Sequence, residues 1–246
     1  NPRGNYIQAW GEIGEEPEAG RMIIDCMMNL PLLYWASEET SDNVYREMAH
    51  RHAVSTLRYL VRQDGSTYHT FFLDPQSGQP VGGKTCQGYA DESLWTRGQA
   101  WAIYGFALTA QWLNDTDFLV AAQKIADRFL IESPVDSTPL WDLRLSADAP
   151  QCLDSSAGAI AACGLLRLAQ LTGNDDYHRE AKTLIRTLSS ECLETEPNRQ
   201  GLLKYGAQHV PEGIANDYLI YGDYFFLEAL LMLTGQALDF WGPTEQ

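Results

Sequence analysis

The acidic residue Asp25 stands in an apolar stretch, residues 22–36, that has no polar stripe. A helix that is apolar all round is normally buried on every side, and burial raises the pKa of a carboxylic acid. Such a group suits general-acid catalysis near neutral pH. Asn29 follows four residues later, so a helix would place both side chains on one face. The structural alternative for Asp25 is a helix cap that accepts from nearby backbone N–H groups.

A second candidate group is the segment 95–101, which contains Trp95, Arg97 and Trp101. Arg97 and Trp101 are four residues apart, so they share one face of a helix. A guanidinium beside an indole suits a planar anionic sugar, because the Arg pairs with the carboxylate while the indole stacks on the ring. For either residue alone, a core Trp or a surface Arg is the plainer interpretation. The cluster favours the sugar site, since Gly98 allows close approach.

The composition narrows the class of partner. A formal charge of −16 argues against nucleic acid or an anionic membrane. The five cysteines are odd in number and scattered, which predicts reduced thiols and a cytoplasmic location. No Cys/His spacing fits zinc and no glycine-rich phosphate loop is present, so we expect neither metal nor cofactor. No apolar run is long enough to span a bilayer, and no signal peptide is evident.

The elements that must position these residues are helices arranged in pairs. Helical periodicity joins residues 21–39 to 42–62, 95–113 to 117–132 and 155–171 to 175–193, and 222–233 stands alone. The first helix of each pair is rich in Ala, Gly, Leu and aromatics and has few charges, while the second carries charge on one face. A weak repeat, an aromatic followed four residues later by Ala, opens each second helix. Buried inner helices with half-exposed partners predict an all-α (α/α) toroid.

Four inner and three outer helices, about seven in all, make only an incomplete ring. We therefore expect residues 1–246 to form one barrel domain from which the N-terminal part is absent. The remainder of its own chain would be needed to close the barrel, because open ends expose apolar surface. Residues 67–84 read as a β-hairpin excursion over a Pro/Gly turn. Like 134–154 and 194–221, they precede an inner helix, so these connections should gather at one mouth.

Several side chains should meet at that mouth. The list comprises Trp10, Asp25, His69, Gln87, Trp95, Arg97, Trp101, Asp154 and Asp223. His69 alone is more often structural than catalytic. Asp154 and Asp223 are predicted to be helix N-caps rather than reactive groups.

At these residues the chain resembles glycoside hydrolase family 88, the unsaturated glucuronyl hydrolases. The resemblance rests on residues 24–32, on 66–70 around His69 and on 95–101, and segments 103–108, 154–157 and 222–230 add to it. It covers nearly the whole chain. The related family that acts on unsaturated rhamnogalacturonan fits these motifs less well.

The resemblance implies an (α/α)6 barrel that hydrolyses lyase-generated oligosaccharides with a 4,5-unsaturated uronate at the non-reducing end. The C4=C5 vinyl ether is hydrated rather than the anomeric carbon displaced, unlike the usual two-carboxylate scheme. By the resemblance, Asp25 is the general acid and base. Substrate-binding residues are then Trp10, His69, Gln87, Trp95, Arg97 and Trp101.

The chain departs from the family pattern in two places. The family has a second essential aspartate upstream of the position of Asp25, and nothing precedes Asn1 here. We therefore expect this chain to be the C-terminal two-thirds of the enzyme and to have little activity alone. The loop 206–213, which the resemblance places against the leaving sugar, also differs from the family pattern.

Two other classes of function stay open at this point. One is a non-catalytic sugar-binding toroid that keeps the Trp platform. The other is a structural helical scaffold in which the Trp and Arg residues belong to core and rim. Neither accounts for Asp25 in an apolar helix.

Overall fold

The computed structural model describes residues 1–10, 19–134, 136–236 and 240–243. Within these ranges the chain forms seven α-helices and a small sheet. The helices are α1 Leu30–Thr40, α2 Asn43–Tyr59, α3 Thr96–Leu113, α4 Thr116–Glu132, α5 Ser155–Thr172, α6 Asp175–Glu191 and α7 Ile220–Leu233. The strands are β1 Arg21–Ile23, β2 Thr70–Leu73 and β3 Pro80–Lys84. The predicted helical pairs and the hairpin are confirmed.

The outer helices α2, α4 and α6 begin at polar caps. Asp42, Asp115 and Asn174 each accept a hydrogen bond from the backbone N–H two residues ahead. Such caps satisfy N–H groups that have no partner in the first helical turn. The repeated aromatic and Ala then turn inward, as Tyr177 and Ala181 do in α6, where both are buried. Short turns and one apolar face therefore place each outer helix against its inner partner.

The inner helices α3 and α5 form the centre of the core. Nearly every residue of both helices is buried. They approach closely at Gly164, where an added Cβ would lie 2.7 Å from Ile103 Cγ2 and 2.9 Å from the Tyr104 backbone N. Within the described residues, no helix is long and apolar enough to cross a membrane.

The first predicted helix, residues 21–39, is wrong in its N-terminal half. Residues 21–23 are strand β1, which pairs antiparallel with β2 to give the sheet order β1-β2-β3. Ile24–Asn29 is a 3-10 helix, and α1 begins only at Leu30. Pro31, which lacks an N–H, lies in the first turn of α1, where that group has no helical partner. Long-range pairing with β2 overrides the helical periodicity of the segment.

The 3-10 geometry also changes the predicted partner of Asn29. With three residues per turn, side chains three apart align, so Asp25 and Asn29 do not share a face. Asn29 instead hydrogen-bonds the Cys26 side chain. The shared Asp25–Asn29 face is therefore wrong.

The two terminal inner helices leave apolar side chains in solvent, as the incomplete ring predicts. On α1, Leu32 is 63% and Trp35 47% exposed, so this helix is not buried all round. On α7, Ile220 is 81% and Leu227 48% exposed. Such faces are characteristic of surfaces that another element covers.

Candidate active site

Asp25 lies in the first turn of the 3-10 helix, directly beside the hairpin. The neighbouring Ile24 N–H donates to the His69 carbonyl at 3.0 Å, which fixes the two segments together. The Asp25 side chain is partly exposed, but its Oδ2 is buried and accepts no hydrogen bond from the described residues. Burial raises the pKa of Asp25 from 3.8 to about 6, against the opposing charge of Arg97 and a backbone hydrogen bond. A carboxyl group of this kind can give up and regain a proton near neutral pH.

His69 is held as a neutral imidazole. Its Nδ1 accepts from the backbone N–H groups of Cys86 at 3.0 Å and Gln87 at 3.3 Å, so the proton resides on Nε2. Burial, together with the charge of Arg97, lowers the pKa of His69 to about 3. Nε2 is buried without a hydrogen-bond partner among the described residues. The site therefore offers an N–H donor that stays neutral at physiological pH.

Indole rings surround His69. The Trp95 ring centroid lies 4.3 Å from that of His69, and Trp10 meets the same imidazole edge-on at 6.3 Å. Trp95 is only 3% exposed and the Arg97 guanidinium lies 4.7 Å from its ring, so it is a wall rather than an open platform. Trp10, 47% exposed, is the indole available for stacking.

Trp101 lies farther along α3. It packs on Tyr221 at 6.1 Å and on Phe225 at 5.4 Å between ring centroids. The Arg97 guanidinium is 5.6 Å from the centroid of the same Tyr221 ring, so Tyr221 connects Trp101 to the rest of the site. Burial raises the pKa of the Tyr221 phenol, and Arg97 opposes the rise, whereas the charges of Asp154 and Asp25 add to it. Tyr221 was not predicted from the sequence, although it directly precedes segment 222–230, which contributes to the family resemblance.

Arg97 is 2% exposed and makes an ion pair that the sequence did not predict. Its Nη1 donates to Asp154 Oδ2 at 2.6 Å and to the Ala207 carbonyl at 2.6 Å. Nη2 donates to the Gln208 carbonyl at 2.8 Å. Three of the five guanidinium N–H groups thus donate to protein acceptors, and within the described residues Nε–H and one Nη2–H make no recorded hydrogen bond.

Gln87 contributes to the same junction. Its Nε2 donates to the Gln208 carbonyl at 2.9 Å, which ties the connection after the hairpin to loop 206–213. From that loop, His209 adds to the lowering of the pKa of His69. His209 Nε2 itself lies 3.7 Å from Glu212.

The two predicted caps differ in outcome. Asp154 does cap α5, accepting from Ala157 N–H, but it is also the buried partner of Arg97. Asp223 is not a cap, because α7 is preceded by Leu219 in the cap position. The Asp223 carboxylate instead accepts from the backbone N–H groups of Leu202 and Leu203, both at 2.9 Å. It therefore holds the connection that precedes α7.

The predicted residues Trp10, Asp25, His69, Gln87, Trp95 and Arg97 are thus brought together, and Trp101 joins them through Tyr221. A cavity of about 590 Å³ lies elsewhere, between the N-terminal turn, α2 and the hairpin turn, and contains none of them. In the described ranges no three His, Cys, Asp or Glu side chains are grouped so that they could hold a metal ion.

Comparison with known proteins gives consistent matches. The model of Glycosyl Hydrolase Family 88 matches residues 3–226. Unsaturated glucuronyl hydrolase of Bacillus sp. (strain GL1) is 45% identical over 242 residues, which cover 96% of this chain and 64% of that protein. Unsaturated chondroitin disaccharide hydrolase of Streptococcus pyogenes is 39% identical over 248 residues, covering 97% and 61% respectively. The chain thus spans less than two thirds of the length of these relatives.

The fold matches solved structures as closely. The crystal structure of the unsaturated glucuronyl hydrolase from Bacillus sp. GL1 superposes with a TM-score of 0.93 at 42% identity. The superposition covers 100% of this chain and 67% of that one. The helical-toroid architecture expected from the sequence is therefore confirmed.

Proposed function

The chain belongs to glycosyl hydrolase family 88, and from this premise we propose that the protein releases 4,5-unsaturated uronic acid from lyase-generated oligosaccharides. The observation that carries the proposal is the Asp25 carboxyl group, whose pKa is raised to about 6 and whose Oδ2 is unpaired among the described residues. It lies beside a neutral N–H donor and a guanidinium. The relatives named for unsaturated glucuronyl and chondroitin disaccharide substrates support the same substrate class.

In the proposed reaction, protonated Asp25 transfers its proton to C4 of the C4=C5 vinyl ether. The cation that develops at C5 is stabilised by the ring oxygen and is attacked by water. The Asp25 carboxylate takes the proton released from that water, which restores the acid. The resulting hemiketal at C5 opens, and the anomeric centre expels the leaving sugar. A pKa of about 6 suits a group that must first donate a proton and then accept one near neutral pH.

The other residues would bind and orient the sugar. We propose that His69 Nε2–H donates to a substrate oxygen, that Trp10 stacks on a ring, and that the two remaining Arg97 N–H groups face the uronate carboxylate. Gln87, Trp95 and Trp101 complete the lining. Hydration of a vinyl ether needs only a proton donor and water, so we propose no metal or cofactor.

The remainder of the ring is also part of the proposal. The exposed faces of α1 and α7, with Leu32 and Ile220 among their side chains, support coverage by further residues of the same chain. We propose that those residues close the barrel and supply the second carboxylate, so that residues 1–246 alone have little activity. The five cysteines are free thiols, which supports a cytoplasmic location.

The test is hydrolysis of unsaturated oligosaccharides derived from chondroitin, hyaluronan, heparin, gellan and rhamnogalacturonan, by protein that includes the ring-completing residues. Loss of the ultraviolet absorbance of the conjugated uronate reports turnover. Asp25→Asn should lower kcat by about 10²-fold to 10⁴-fold while substrate still binds. Asp176→Asn is the matched control, because that exposed carboxylate pairs with Arg179 on the outer helix α6, away from the site.

The outcomes separate the possible functions. A variant at Asp25 that keeps most of its kcat refutes the role of Asp25. Binding without turnover by the unaltered protein would identify a sugar-binding toroid instead. Turnover only of unsaturated rhamnogalacturonan fragments would assign the related activity.

A further inference from the structure

Among the residues that the structure describes, Arg97 and Asp154 form the most deeply buried ion pair. The Arg97 and Asp154 side chains are 3% and 0% exposed, and their atoms are 2.6 Å apart. Asp154 Oδ1 also accepts from Ser156 Oγ at 2.6 Å and from the Ala207 N–H at 3.4 Å. Removing one partner of a buried pair leaves an uncompensated charge, which is far costlier than removing both.

The pair also hydrogen-bonds the backbone at the start of loop 206–213. Arg97 donates to the Ala207 and Gln208 carbonyls, while Asp154 accepts from the Ala207 N–H. Both polar groups of the Ala207 backbone are therefore held by the two members of one ion pair. The same Gln208 carbonyl receives the Gln87 side chain. The start of α5, the inner helix α3 and two loops thus meet around the Arg97–Asp154 pair.

We propose that Asp154 is a positioning residue of this site: its carboxylate fixes the Arg97 guanidinium, anchors loop 206–213 through it, and neutralises its charge next to Asp25. The inference rests on the proposed function for its catalytic consequence. It goes beyond capping, because a cap requires only an acceptor oxygen and Asp154 supplies a full charge to a buried cation.

The charged and titratable groups around this pair set the direction of the effect. Asp25 faces Arg97 from the 3-10 helix, and Cys26 and Tyr221 respond to the Asp25 charge. His69, on the hairpin, is influenced by the charge of Arg97 and also by His209 of loop 206–213 and Arg21 of β1. If Asp154 loses its charge, Arg97 is left uncompensated, and its attraction for the ionised form of Asp25 increases.

The variant Asp154→Asn separates charge from capping. Asn caps helices as well as Asp does, so α5 keeps its cap. The amide cannot neutralise a guanidinium, however. We expect kcat/KM to fall by about 10²-fold, because Arg97 and the loop lose their fixed positions. We also expect the pKa of Asp25 to fall by about half a unit or more.

The measurements are the pH profile of kcat/KM and the titration of the Asp25 carboxyl carbon by NMR, assigned with Asp25→Asn. The control is Asp223→Asn, which loosens the neighbouring connection but does not touch Arg97. A shifted Asp25 titration in Asp154→Asn, with an unshifted one in the control, supports the proposal. An unshifted titration in a folded Asp154→Asn overturns it, and so does an equal shift in both variants.

A second variant covers the case in which Asp154→Asn does not fold. Asp154→Asn/Arg97→Gln removes both charges, so it should fold better than the single variant. Its Asp25 should then titrate at higher pH than in the unaltered protein. No gain in folding, or an unchanged titration, would overturn the proposal. All of these variants are made in protein that includes the ring-completing residues. Because NMR needs no turnover, inactivity of that unaltered protein, together with the expected Asp25 titrations, would refute the proposed function while leaving this inference intact.

Discussion

The effect of replacing Asp25 by Asn on the free energy of unfolding should be more favourable at neutral pH than at low pH. Burial raises the pKa of Asp25 from 3.8 to about 6, so the folded state binds its proton more tightly than the unfolded chain does. A group whose pKa is raised by folding contributes its full stability at pH values below its pKa in the unfolded chain. That stability is lost as pH rises through the folded value. The window of change is therefore about pH 4 to 6.

The size of the effect follows from the shift. A rise from 3.8 to about 6 corresponds to up to about 3 kcal/mol of unfolding free energy at pH 8. Because the Asp25 side chain is partly exposed, solvent screening reduces this, and we expect about 1 to 2 kcal/mol. Asn at this position also places a buried amide group where Oδ2 has no partner among the described residues, which lowers stability, but this loss does not vary with pH.

The assay is denaturant unfolding of the unaltered protein and of Asp25→Asn at pH 4 and pH 8. The difference between the two proteins should move in favour of the variant by about 1 to 2 kcal/mol from the lower to the higher pH. Comparing two pH values cancels every pH-independent consequence of the substitution. A difference that is the same at both pH values would refute the raised pKa, and with it the main support for a general acid.

His69 should give the NMR signature of a neutral imidazole protonated at Nε2, with no titration between pH 5 and 8; a midpoint in that range would contradict its burial against Arg97. Gly105→Ala should destabilise by about 1 to 3 kcal/mol in thermal or denaturant unfolding, because its Cβ would lie 2.4 Å from Met27 Cβ. Gly158→Ala is its control, since its nearest contacts are at 3.4 Å, and a similar loss there would refute the packing argument. Finally, the basic limb of kcat should lie at higher pH than that of kcat/KM, because a bound uronate raises the pKa of Asp25; coincident limbs would exclude that interaction.

The helix pairs could be predicted because their signals are local. A cap such as Asp42 and an inward aromatic and Ala lie within one or two turns of each other, so periodicity alone locates α2, α4 and α6. The start of α1 could not be found in this way. Whether residues 21–23 form helix or strand depends on β2, some 50 residues later in the chain, and on the proline at position 31.

The membership of the site was predictable for a similar reason. Inner helices in a toroid begin at one mouth, so residues near their starts are neighbours whatever their exact directions. Asp25, His69 and Arg97 could therefore be grouped from the chain order. Burial could not be derived in this way, and Trp95 proves to be a covered wall, not an open sugar platform.

The effect of Arg97 on the pKa of Asp25 could not be derived from the sequence, because it depends on the partner of Arg97. A guanidinium that faces a carboxylate without another partner lowers its pKa by about one to three units, which would leave Asp25 almost entirely ionised near neutral pH, without a proton to give to the vinyl ether. In the structure burial outweighs this attraction, and the pKa is about 6. The Arg97 charge is opposed at 2.6 Å by Asp154, which lies 57 residues away in the chain. From the sequence Asp154 is an ordinary helix cap, yet the acid strength of Asp25 depends on the charge that this cap cancels.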